Sequence, residues 1–250
     1  MSALVALVEF WDREIERWVG GDRAIPPRLQ RWFESYSGKG HGEVRLDVFP
    51  EPYTGRLVDN HAPVVMLGLN PGAAVPSFQA PGGVFFEQLK TMSYSEWAAT
   101  VPYASKEWES FAGRNRFYQN RFAFARRLLD DPRWPASDGV YFELYPYHSS
   151  GVTAAMSPPG DVLREFVLDP IGELDTQHVF AFGKPWFWVP DRIGLRAGRD
   201  LNVEWSTAGR QARIYPLPSG QDLIVMAQPG YAGPPGAADT AALMNALGLR

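Results

Sequence analysis

Apolar residues recur at helical spacing from Leu4 to Val19 (Leu4, Leu7, Val8, Phe10, Trp11, Ile15, Trp18), and Gly20-Gly21 ends the run. A second amphipathic stretch, Pro27 to Tyr36, carries Leu29, Trp32 and Phe33 on one side. Beyond the glycine-rich break at Ser37 to Gly42, the pattern changes. Short apolar runs, partly β-branched, alternate with helical stretches, and each run stops at Gly or Pro. These runs are Val64–Leu67, Asp138–Tyr147, Gln177–Gly183 and Asp222–Ala227. Continuous apolar runs of this length are the signature of strands buried on both faces of a parallel sheet.

The intervening segments complete the pattern. Glu87–Met92 with Trp97, Lys106–Leu129, Asp161–Leu168 and Asp239–Leu247 read as helices. Leu201–Trp205 and Arg213–Leu217 read as a short hairpin across Ala208-Gly209. This alternation predicts one α/β domain over residues 1–250, a three-layer sandwich with a mainly parallel sheet of about four strands. Residues 1–45 form a helical extension packed on its outside. The strand ends collect at one edge, which makes Asn70, Glu143, Gly183-Lys184 and Gln228 expected neighbours. In α/β folds that edge is where ligands bind.

Composition narrows the chemistry. The chain has 250 residues, 45% of them hydrophobic and 21% charged, as in an ordinary globular protein. The absence of cysteine excludes disulfides, iron–sulfur clusters and thiolate zinc sites. The four histidines, at 41, 61, 148 and 178, show no metal-ligand spacing, and neither a metal nor another cofactor is expected. A net charge of −4 does not suggest coating of nucleic acid by bulk charge, although a local basic face is sufficient. The Lys106–Leu129 stretch interleaves basic and aromatic residues, a pattern that suits a phosphate backbone and also a solvated face above a core stripe. No apolar run approaches the roughly 18–20 residues that span a bilayer, and no basic leader precedes the first helix. A cytoplasmic, monomeric protein without membrane contact is the expectation.

The stretch Pro63–Gly72, PVVMLGLNPG, carries the most specific signal: a buried strand running into a tight turn with one polar side chain, Asn70. In this setting the GLNPG turn resembles the first motif of the uracil-DNA glycosylase superfamily, nearest to its mismatch-specific and single-strand-selective branches. The likeness continues in order. Gln79, Gly82 or Gly83, Val84 and Phe86 are similar to the loop whose aromatic stacks on the extruded base. Glu143-Leu144-Tyr145-Pro146-Tyr147 falls where the family has a strand ending in Asn, three residues before a proline. Phe180–Lys184 is similar to the strand followed by Gly-Lys or Gly-Arg, and Ala227-Gln228-Pro229-Gly230 falls at His-Pro-Ser. The match runs from about Val64 to the C-terminus and leaves the N-terminal helices and the Pro50–Tyr53 loop outside.

The resemblance implies a monofunctional DNA glycosylase that acts on a base extruded from single- or double-stranded DNA. It assigns Asn70 and Gln228 to catalysis. Gly68, Leu69, Phe85, Phe86 and Glu143 fall to the base, and Gly72, Lys184, Gly230 and Tyr231 to the DNA. Asn70 would orient the water that attacks C1′, and Phe86, or failing that Phe85, would stack on the base. Two positions depart from the pattern. Gln228 offers an N–H where the family has His but carries no imidazolium charge. Glu143 replaces an amide that both donates and accepts. As a carboxylate it only accepts, so it disfavours uracil O4 and favours an amino group, as on cytosine; as a protonated acid it regains a donor. The expected substrate is therefore a damaged or modified base other than plain uracil.

Other classes find less support. The chain contains no GxxxxGK[ST] phosphate loop and no GxSxG nucleophile elbow, and His148, Ser149 and Ser150 are adjacent residues rather than a spaced triad. A nucleic-acid or nucleotide-binding module that kept the pocket and lost the chemistry stays open, as does hydrolysis of a free nucleoside.

Overall fold

The computed structural model describes residues 1–36, 43–57, 60–152, 158–195 and 197–249. The glycine-rich break Ser37–Gly42 thus lies outside the described residues. The chain is α/β, built on a mixed seven-stranded sheet in the order β1-β3-β2-β4-β7-β6-β5. The strands are β1 (Tyr53–Thr54), β2 (Val64–Gly68), β3 (Gly139–Glu143), β4 (His178–Phe182), β5 (Arg199–Asp200), β6 (Gln211–Pro216) and β7 (Asp222–Ala227).

The four strands expected from the apolar runs form the parallel centre, β3-β2-β4-β7. The expected count of about four is corrected to seven by short antiparallel additions at both sides. Two-residue β1 adds to β3, with Tyr53 opposite Phe142. On the other side β6 pairs antiparallel with β7, and β5 with β6. The strand partner of β6 is Arg199–Asp200 rather than Leu201–Trp205, which runs irregularly. Period-2 patterns cannot reveal a two-residue strand, so β1 and β5 carry no sequence signal, whereas β6 overlaps the expected Arg213–Leu217 strand.

β2 is buried along its whole length. The chain leaves it to form β3 on one side and returns to place β4 on the other, a reversal of strand order that opens a crevice at the carboxyl edge. The N-terminal helices are stitched into the domain. In Ala3–Val19 the stripe Leu4, Leu7, Phe10, Trp11, Ile15 and Trp18 is buried, and Phe10 and Trp11 pack edge-on against Phe166. Glu173 accepts from the amides of Ala3 (2.7 Å) and Leu4 (3.0 Å), free donors of the first helical turn. In Pro27–Tyr36, the Trp32 indole donates to the Leu144 carbonyl at 2.9 Å, just beyond the end of β3. Among the described residues no helix is long and apolar enough to cross a membrane.

Candidate functional site

A cavity of about 780 Å³ opens at the carboxyl ends of β2 and β3. Its size falls within the roughly 300–1,000 Å³ typical of small-molecule sites. Asn70 and Glu143 both line it, together with Leu69 and Gly72 of the turn after β2. The Arg116–Leu128 helix contributes Phe117, Tyr118 and Arg121, the loop before β1 contributes Glu51, and Tyr231 closes the edge from the loop after β7.

Asn70 is held by its amide nitrogen. Nδ2 donates toward the Tyr36 hydroxyl at 3.1 Å, the Ser149 carbonyl at 3.0 Å and the Ser149 hydroxyl at 3.1 Å. Tyr36 and Ser149 also hydrogen-bond each other through their hydroxyls. Burial pushes the Tyr36 phenol above its ordinary range, so it stays a hydroxyl, and its ring stacks on Tyr145 at 4.5 Å. Among the described residues no donor reaches Asn70 Oδ1. The amide is therefore fixed on one side and presents an acceptor on the other, the arrangement needed to hold a water or a ligand donor.

Glu143 ends β3 directly opposite Gly68. Its carboxyl lies across the Gly68 backbone so closely that a Cβ there would sit 2.3 Å from Oε2. Glu143 is buried, and Oε2 has no hydrogen-bond partner among the described residues. Burial, opposed by the Arg121 guanidinium and reinforced by the Glu51 carboxylate, pushes its pKa up to about 8. The side chain is then a neutral acid near pH 7. Arg121 is also buried. Its Nη1 donates to the Phe117 carbonyl at 3.3 Å, its guanidinium carbon lies 3.2 Å from the Phe117 ring centroid, and its Nη2 is unpartnered.

A polar cluster braces the turn from behind. Glu51 accepts from the Tyr103 hydroxyl at 2.5 and 2.7 Å and from Gln79 Nε2 at 2.9 Å, and faces His148 Nε2 at 3.1 Å. The other ring nitrogen of His148 lies 3.2 Å from the Gly72 carbonyl, and the Ser149 amide donates to the same oxygen at 3.1 Å. Gly72 itself has φ +83°, which favours glycine there.

The sequence expectations divide accordingly. Asn70, Leu69, Gly72, Glu143 and Tyr231 come together around the cavity, and Gly68 lies beneath the Glu143 carboxyl. Phe85 and Phe86 do not border it: Phe85 is fully buried against Phe78, Trp97, Tyr103 and Trp108, and Phe86 packs on Trp18. The half-open rings at the cavity are Phe117, 37% exposed, and Tyr231, 39% exposed. Lys184 is exposed on the turn after β4, away from the cavity. Gln228 is also outside it, with its carboxamide oxygen taken by Arg210, which pairs with Asp239 at 3.3 Å. Gly230, at φ +71°, lies beside Tyr231 without lining the cavity.

Sequence reasoning missed Tyr36, Ser149, Glu51 and His148. The one available signal was the shaped loop PEPYTG running into the strand, with a lone acid between two prolines. Among the described residues, no group of His, Asp and Glu is arranged to hold a metal ion. No protein-family model, curated protein or solved structure matches this chain.

Proposed function

We propose that this chain is a monofunctional DNA glycosylase, which hydrolyses the N-glycosidic bond of a base drawn out of the strand into the cavity. The observation that carries this reading is that Asn70, in the turn after β2, and Glu143, at the end of the adjacent parallel strand β3, line one cavity of about 780 Å³. The ordered motifs around GLNPG support it, because the polar residues they single out, Asn70 just after β2 and Glu143 at the end of β3, share that cavity. Asn70 Oδ1 orients the attacking water toward C1′. Phe117, rather than Phe85 or Phe86, supplies the stacking face, and Tyr231 stands where a residue would fill the space a base leaves in the strand. Among the described residues no lysine lines the cavity, which favours direct hydrolysis over a Schiff base.

The state of Glu143 revises the base preference. A neutral carboxyl both donates and accepts, so the repulsion at O4 that a carboxylate would impose is lifted near pH 7. The preference for an amino-bearing base loses its physical ground, and bases with a carbonyl edge, plain uracil included, fit as well.

The second reading, a binding module without chemistry, draws on Gln228, which is tied to Arg210 and gives no help to a leaving group. One screen separates the two. Oligonucleotides carrying uracil, hypoxanthine, xanthine or modified cytosines, tested beside the free nucleosides, should yield abasic sites from at least one oligonucleotide. Asn70→Ala should abolish that yield. Tight binding without base release would overturn the glycosylase reading in favour of the module, and release from free nucleosides alone would make the chain a nucleoside hydrolase.

A further inference from the structure

A base leaving C1′ carries away the electron pair of the glycosidic bond and needs a proton or a strong donor. Gln228, where the motifs would place that donor, is held by Arg210 outside the cavity. The polar groups that do line the cavity are mostly committed. The Glu51 carboxylate is engaged by Tyr103, Gln79 and His148, and the hydroxyl of Tyr103 is spent on it. The hydroxyl of Tyr118 meets Thr54 at 3.0 Å. Arg121 Nη2 and Glu143 are the exceptions, and of the two only a carboxyl has a proton it can give up, because a guanidinium does not deprotonate. Among the described residues Glu143 has no ion pair and its Oε2 has no partner, and it lies on the cavity wall across Gly68.

We propose that Glu143 is the general acid of the reaction, a role that rests on the glycosylase reading above. As the C1′–N bond breaks, its electron pair stays on the base, and the Glu143 proton passes to an oxygen or ring nitrogen of that base. The water oriented by Asn70 adds its oxygen to C1′, and the proton it sheds restores the carboxyl, directly or through solvent. The products are the free base and a sugar bearing a hydroxyl at C1′, so atoms and charge balance.

The surroundings suit both forms of the group. Burial and the Glu51 carboxylate keep the proton on Glu143, while Arg121 stands close enough to stabilise the carboxylate left after transfer. Tyr118, on the helix that carries Arg121, and Tyr36, at the end of the Pro27–Tyr36 helix, are the other titratable groups near enough to feel the charge of an ionised Glu143. Burial raises both phenols, so they stay neutral through the same pH range.

The test is Glu143→Gln, which keeps the shape and can still donate and accept hydrogen bonds but has no proton to give up. Single-turnover excision of uracil and of 5-fluorouracil, whose base leaves more readily, should be compared in both proteins, together with pH–rate profiles. General acid catalysis is worth typically 10²- to 10⁴-fold. The variant should lose roughly a hundredfold or more on uracil, clearly less on 5-fluorouracil, and should lack the fall in rate that the wild type shows as pH rises through about 8. Should the variant prove unfolded by circular dichroism, the wild-type profile alone decides. A rate that stays level to pH 9.5 would overturn the role. Equal losses on the two bases with an unchanged pH profile would reduce Glu143 to a reader of the base and overturn it as well. Failure of the wild type to release any base from the wider panel would instead sink the glycosylase reading, and the acid role with it.

Discussion

Asn70 Nδ2 lies 3.1 Å from the hydroxyl of Tyr36, a residue 34 positions earlier in the chain. The helix that seemed an accessory to the sheet thus fixes the orientation of the central amide. Tyr36→Phe keeps the stack on Tyr145 and removes only the hydroxyl. We expect a stability loss of about 1 kcal/mol, the worth of a typical hydrogen bond. The excision rate should fall by about tenfold to a hundredfold, because a loosened amide misplaces the water. KM should hardly change, since Tyr36 does not line the cavity. A lowered melting temperature with an unchanged kcat would leave Tyr36 a packing residue only.

Gly68 and Glu143 are coupled by space alone. The three atoms nearest to a Cβ at Gly68 all belong to the Glu143 carboxyl, the closest at 2.3 Å. Gly68→Ala should cost about 1–3 kcal/mol through overpacking. In a Glu143→Ala background the same substitution should cost far less, and urea unfolding of the four proteins gives the coupling energy. Additive effects would mean that the carboxyl has another place to go.

How much of this was legible beforehand follows from which interactions leave a local pattern. The parallel centre was, because strands buried on both faces are apolar throughout, as Val64–Leu67 are. Asn70 and Glu143 were, because one lies in the turn just after such a strand and the other ends one. Phe86 and Phe85 lie away from the cavity for a local reason: an aromatic pair after a glycine-rich loop looks like an exposed stacking surface, but Gly83 starts the Val84–Leu89 helix, which buries Phe85 in the core and packs Phe86 on Trp18. Phe117 carried no mark that distinguished it among the aromatics of its helix. Tyr36 and Glu51 reach the site only through tertiary contacts, which no periodicity encodes. Gln228 sat at the expected strand end, yet its side chain is claimed by Arg210 from the β5–β6 connection, a partner that pattern cannot supply.

The two phenylalanine positions can be told apart by experiment. Phe117→Leu removes the ring beside the cavity and the surface on which the Arg121 guanidinium lies. Stacking on an aromatic is worth roughly 1–3 kcal/mol per base, so binding of a substrate oligonucleotide should weaken by about five- to a hundredfold or somewhat more. Phe85→Leu should lower stability by about 1–3 kcal/mol and leave the affinity of the folded protein alone. The reverse pattern would return the stacking role to Phe85.

Stability should depend on pH in a way that identifies Glu143. Its carboxyl is raised from 4.5 to about 8 in the folded chain, so the folded form holds the proton more tightly than the unfolded. The resulting stabilisation is complete below about pH 4.5 and is lost as pH rises through about 8. His178, lowered from 6.5 by burial, acts in the opposite sense, and its effect is complete once pH exceeds 6.5. Between pH 6.5 and 8 the wild type should therefore lose about 1–2 kcal/mol, and Glu143→Gln should be nearly flat. Chemical denaturation at four or five pH values would show this. Parallel curves for the two proteins would mean that Glu143 is ionised in the folded state.

Gln228 provides the sharpest contrast with what the motifs imply. In the superfamily that those motifs resemble, this position holds a side chain that assists the leaving base, and its loss there should be severe. Here the carboxamide faces Arg210, and the loop that brings Tyr231 to the cavity is tied by its backbone, the Tyr231 amide donating to the Gln228 carbonyl at 3.2 Å. Gln228→Ala keeps that backbone tie. It should cost about 1–3 kcal/mol of stability, as expected for a hydrogen bond to a charged group, and leave the excision rate within about twofold. Gln228→His should give no gain, because the position does not line the cavity. Tyr231→Ala, which strips the cavity edge, should weaken substrate binding instead. A hundredfold loss of rate in Gln228→Ala would mean that the side chain leaves Arg210 when DNA binds, and would return the leaving-group duty from Glu143 to the turn after β7.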